Sequence, residues 1–167
     1  CFTIFSNKKF RNSAFGYIGH MWELYTFWAF IPLLLETYQR YNPSIQINIS
    51  LFSFLIISVG SISCVVSGYL SQYFATKNTA FCFLLLSGIC CLLCPLLLLT
   101  SNLYLFVSFL FFWGFVVIAD SPLFSTLVAQ NSNSKEKGTA LTIVSCIGFL
   151  ITILSIQSFN YMRTNTD

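Results

Sequence analysis

The chain has 167 residues, 56% of them hydrophobic and 8% charged, with a net charge of +3. Soluble domains carry about 25% charged residues, so this chain has too few to cover a globular surface. Its mean hydropathy of +0.78 points instead to a polytopic membrane protein.

Five apolar segments reach the roughly 20 residues that a helix needs to cross a bilayer. They are Ser13–Leu35, Ile47–Leu70, Ala80–Leu99, Leu103–Ala129 and Thr139–Phe159. Alternation of polar and apolar residues is absent, which argues against a β-barrel. The expected fold is all-α: a transmembrane helical bundle of five spans over 13–159, between a cytoplasmic segment (1–12) and a polar tail (160–167). The connections are short, so neighbouring helices should run antiparallel, with no soluble domain.

The first segment follows a short basic stretch, Lys8, Lys9 and Arg11. No signal peptide is recognisable, and the chain, which begins at Cys1, reads as if cut from something longer. Within this apolar run stand His20 and Glu23. By the helical rise they lie roughly 10 and 15 Å from Ser13. A charge at membrane depth costs about 2.5–3.5 kcal/mol on insertion scales, so such groups are read as functional. Side chains at i and i+3 share a helical face, so His20 and Glu23 are expected to meet. Burial and a charged neighbour would then set their protonation in opposing senses, suited to proton exchange. A polar pair that fixes helix packing is the other reading. Trp22, Tyr25 and Trp28 lie away from the membrane edges, so an interfacial belt does not account for them. With Trp113 they are candidates for lining a cavity that takes an organic ligand or a cation, although core packing explains each one singly as well.

In the second segment Gly60, Cys64 and Gly68 recur every four residues. This small-residue stripe suits close helix packing or the sliding helices of a moving carrier. The third holds Cys90, Cys91 and Cys94. Cys91-Leu92-Leu93-Cys94 has the Cys-x-x-Cys form, but no second cysteine pair or nearby histidine completes a metal site. These thiols are read as small apolar side chains. No metal, cofactor or disulfide framework is expected.

The fourth segment contains Asp120, roughly 13 Å from Ala129 by the helical rise, followed by Ser121 and Pro122. The proline removes an N–H and should free the carbonyl of Ile118. A kink beside a carboxylate, with Ser121 and Ser125 nearby, is a recurrent device of transporters. A simple bond from Asp120 to a neighbouring helix is the plainer reading.

Lys8, Lys9, Arg11, Lys77, Lys135 and Lys137 fall on one side of the bundle, against Arg40 and Arg163 on the other. The positive-inside rule then places the N-terminal segment in the cytoplasm. There is no Walker-type phosphate loop, Gly16-Tyr17-Ile18-Gly19 lacks the third glycine of a dinucleotide fold, and no nucleophile–histidine arrangement lies outside the membrane. Neither an enzyme nor a nucleic-acid binder is expected.

Three stretches carry a family resemblance. Asn12–Tyr25, with its Gly19-His20-Met21-Trp22-Glu23-Leu24-Tyr25, resembles the seventh helix of a bacterial branch of the major facilitator superfamily. Phe112–Ser125, containing Trp113-Gly114 and Ala119-Asp120-Ser121-Pro122, resembles the tenth. Gly138–Val144 resembles the start of the eleventh. The resemblance covers nearly the whole chain and implies the C-terminal half of such a transporter, helices seven to eleven. The cytoplasmic loop motif of the superfamily, Gly-x-Leu-x-Asp-Arg-x-Gly-Arg, survives only in Gly68, Leu70 and the basic Lys77. Gln72, Tyr73 and Ala75 replace its Asp, Arg and second Gly.

What the resemblance implies is a multi-pass protein of the inner or plasma membrane. It would carry a small organic solute by alternating access, coupled to protons through Glu23 and His20, with Asp120 as a second polar site. Its partners would be the solute, protons, the lipid bilayer and a missing N-terminal half, without which the fragment would not transport. The alternative is a non-transporting membrane protein, such as a receptor, an assembly subunit or a degenerate remnant.

Overall fold

The computed structural model describes residues 5–164, apart from the side chain of Arg163. The described residues form helices and no strand. In chain order the helices are α1 (Lys8–Tyr41), α2 (Ile49–Tyr73), α3 (Thr76–Leu98), α4 (Leu103–Ala119), α5 (Ser121–Gln130) and α6 (Lys137–Thr164). Asparagine starts three of them. Asn7 accepts from the Lys9 N–H at 2.9 Å, Asn48 from that of Leu51 at 3.1 Å, and Asn102 from that of Leu105 at 3.2 Å. Each satisfies an N–H that the first turn leaves without a partner.

The expected fourth segment is one span in two pieces. Asp120 closes α4 and opens α5, with Pro122 in the first turn of α5. Proline is at ease there because that turn does not need its N–H. The Ile118 carbonyl, which has no helical donor at Pro122, accepts instead from the Asp120 N–H, and the Cys64 thiol approaches it at 3.9 Å.

Four stretches are long and apolar enough to cross a membrane: Ile49–Tyr73, Thr76–Leu98, Leu103–Gln130 and Lys137–Met162. The fifth expected span, in α1, is long but not as apolar. It has 34 residues, about 51 Å at the helical rise against a hydrocarbon thickness of about 30 Å. Its ends carry Lys8, Lys9, Arg11, Glu36 and Arg40, and its middle carries His20 and Glu23. Lys8, Lys9 and Arg11 therefore belong to the helix itself rather than to a separate leading segment. Glu36 and Arg40 form an exposed i,i+4 pair at 2.8 Å.

This more polar helix is the spine of the bundle, in contact with each of the other five. Its buried residues, among them Ala14, Met21, Leu24, Ile31, Leu35 and Tyr38, recur at intervals of three, four or seven, the spacing of a helical stripe. Tyr38 stacks on Phe106 of α4 with ring centroids 4.1 Å apart, and Phe27 meets Trp113 at 4.7 Å. The outer helices turn large apolar side chains outward instead, including Val65, Leu92, Leu96 and Leu150. So much exposed apolar surface suits a lipid environment and not water.

The small-residue stripe of α2 is only partly a packing face. Gly60 lies against Ile118 so closely that any side chain at 60 would collide with it, whereas Gly68 has open space around it. The second partner in this crossing is Gly114 of α4, where a Cβ would stand 2.8 Å from the Ile56 carbonyl. Loss of side chains lets the α2 and α4 backbones approach at the level of the helix break.

Candidate functional site

Three polar residues, singled out as lying at depth, sit on two helices, and the structure divides them into two sites. His20 leaves α1 toward the α4–α5 junction. Its Nδ1 lies 2.8 Å from Oδ1 of Asp120, and both residues are 1% exposed. The approach is short but oblique, so Oδ1 receives no well-aligned hydrogen bond. Nε2 of His20 is buried with no hydrogen-bond partner among the described residues. The ring lies near Phe124 (5.9 Å between centroids) and Tyr17 (6.4 Å).

The expected meeting of His20 with Glu23 gives way to different partners for each. Three residues advance a helix by about 300°, which leaves side chains about 60° apart around the axis. In this bundle that angle separates two neighbours. His20 faces the α4–α5 junction and Glu23 faces α3. Oε1 of Glu23 accepts a short hydrogen bond from the Ser87 hydroxyl and one from the Cys91 thiol at 3.2 Å. No hydrogen bond to Oε2 occurs among the described residues.

Glu23 stands on the wall of a cavity of about 500 Å³ between α1, α3, α4 and the far part of α6. Trp22, Phe27, Cys91, Trp113 and Phe159 are among its lining residues. Trp22 and Trp113 thus line this cavity. Trp28 belongs to a second one of about 390 Å³, with Ser58, Ser61 and Cys64 of α2 and Ile118 of α4. Tyr25 lines neither. It packs edge-on against Trp28 and Phe149, with centroids 5.3 and 5.6 Å away. One turn above Trp22, Thr26 shares a short hydroxyl contact with Ser155, which ties α1 to α6 beside the cavity.

Sequence reasoning missed Ser87 and Cys91 as partners of Glu23. Ser87 was visible as a polar residue at the centre of an apolar helix. Cys91 was read with Cys90 and Cys94 as a small apolar group, and only the geometry shows it donating to a carboxylate. Among the described residues no group of three or more His, Cys, Asp or Glu side chains is arranged to hold a metal ion. Of the loop-motif remnants, Gly68 lies in the last turns of α2, and Lys77, in the first turn of α3, makes no ion pair among the described residues.

A bundle of long apolar helices around a spine with buried titratable groups is the architecture of a multi-pass membrane protein. Neither curated proteins nor solved structures gave a match to this chain. A family model described as Major Facilitator Superfamily matches residues 3–156. That stretch takes in α1 to α5 and most of α6, so the chain belongs to the Major Facilitator Superfamily of membrane transporters.

Proposed function

We propose that this protein is a secondary active transporter of a small organic solute, driven by protons and working by alternating access. The observation that carries the reading is the His20–Asp120 pair, buried at the break between α4 and α5. With one proton between them the two groups are neutral overall, as His⁺ with Asp⁻ or as the neutral acid and base. A second proton, or the loss of the first, leaves an uncompensated charge in a low-dielectric site. Such a site holds one proton and resists a change in that number until the pair is parted or reached by water, which ties proton exchange to movement of the helices. The break lets α5 move relative to α4, because the interrupted backbone bonding at Ile118 needs little further disruption.

In this reading the pair handles the proton and Glu23, on the cavity wall, handles the solute. The basic end of α1 faces the cytoplasm of a cell with the protein in its inner or plasma membrane. The bundle rocks against an opposing half of the carrier, with the solute path between them.

The test is solute accumulation in proteoliposomes of the intact protein under an imposed pH gradient, found by a solute screen. Wild type should accumulate the solute only with the gradient. Asp120→Asn should abolish gradient-driven accumulation but keep exchange of labelled for unlabelled solute across equal pH. Accumulation by Asp120→Asn that follows the gradient as in wild type would overturn the proton role. A non-transporting role is favoured by one observation, the absence of the charged loop residues at Gln72 and Tyr73, and would show as failure of both uptake and exchange by the wild type.

A further inference from the structure

We infer that the cavity beside Glu23 takes an amphipathic organic monocation, such as an aromatic amine in its ammonium form. Its charge would rest on Oε2 of Glu23 and its apolar body against Trp22, Phe27 and Trp113. This names a substrate class for the carrier proposed above and rests on that reading, but binding and transport can fail separately.

The argument is one of charge and shape. Glu23 is the only charged side chain among the residues that line the cavity, and no Lys, Arg or His accompanies it. The rest of the wall is almost wholly apolar, with aromatic rings from α1, α4 and α6. An anionic solute would meet a carboxylate and no cation. A neutral apolar solute would displace water from that carboxylate and offer nothing in return, which is costly in a low-dielectric site. A dication would need a second carboxylate, and Asp120 is sealed against His20.

The two oxygens of Glu23 are not equivalent. Ser87 and Cys91 both donate to Oε1, which fixes the carboxylate's orientation and leaves Oε2 to accept from a ligand N–H. A charge-assisted bond of that kind is roughly twice as strong as a neutral one. Facing indole and phenyl rings add attraction for a cation. A volume of about 500 Å³ lies within the range of sites for drug-sized ligands.

Three probes with one body separate the charge from the ring: 1-naphthylmethylamine, 1-naphthylmethanol and 1-naphthoate. Binding to the full chain is read by titration calorimetry. The amine should bind at least about tenfold more tightly than the alcohol or the carboxylate, the margin of one charge-assisted hydrogen bond. Glu23→Gln should remove that preference. Equal affinity for all three in wild type, or an amine preference that survives Glu23→Gln, would overturn the assignment.

Selective amine binding without uptake would sink only the carrier reading. Proton-driven uptake of an organic anion, with no amine binding, would sink only this inference.

Discussion

Asp120 and Glu23 are carboxylates in one bundle, yet they occupy opposite kinds of place. Asp120 sits at a helix break, sealed from solvent, with a histidine as its polar neighbour. Glu23 sits in the middle of a continuous helix, partly exposed on a cavity wall, held by a hydroxyl and a thiol. A sealed carboxylate can exchange only a proton with its partner, and it needs that partner to stay. A carboxylate on a cavity wall can meet a ligand, and its own protein contacts need only orient it.

That contrast is most severely tested by removing one member of the sealed pair. Asp120→Ala strands His20 in a site 1% exposed, and breaking a buried pair costs about 3–5 kcal/mol. Thermal unfolding in detergent should show a large fall. The double variant His20→Leu with Asp120→Leu should recover most of it, because no orphaned charge remains. A double variant no more stable than the single one would mean that the pair is not the unit described here.

The wall behind the break should be the next most sensitive. Gly60→Ala drives a methyl group into Ile118, directly behind Asp120, and overpacking of this kind costs about 1–3 kcal/mol. Gly68→Ala, in open space on the same helix, should be neutral or slightly stabilising through helix propensity. The same unfolding assay distinguishes them, and equal effects would remove the close α2–α4 crossing from the account.

Glu23→Gln should have the smallest effect on stability, within about 1 kcal/mol, since the amide oxygen can still accept from Ser87 and Cys91. Its effect should appear in ligand binding alone. A fall as large as that of Asp120→Ala would erase the difference between the two sites.

Much of the architecture was legible because lipid imposes simple demands. Apolar runs of span length mark helices, and Pro122 marks the break at Asp120. Counting residues places His20, Glu23 and Asp120 within apolar runs. It does not give their pairing, because adjacency at i and i+3 leaves about 60° between side chains, and neighbouring helices decide which group each one faces. Cys91 was illegible for a different reason. A thiol is apolar enough to hide in a membrane helix, and only the nearby carboxylate turns it into a donor. The small-residue stripe was right at Gly60, where α4 crosses, and uninformative at Gly68, because a spacing pattern does not show where a partner helix ends its contact.

The separation of the two carboxylates can be measured directly, since His20 is the only histidine in the chain. Solid-state NMR of the full chain in lipid, with ring-¹⁵N histidine and ¹³C-carboxyl aspartate, should show strong dipolar coupling that disappears in Asp120→Asn prepared with unlabelled asparagine. With ¹³C-carboxyl glutamate in place of aspartate, the Nδ1 coupling should be weak, and Glu23→Gln should leave it unchanged. A strong coupling to glutamate that Glu23→Gln abolishes would return His20 to Glu23 and contradict the two-site account.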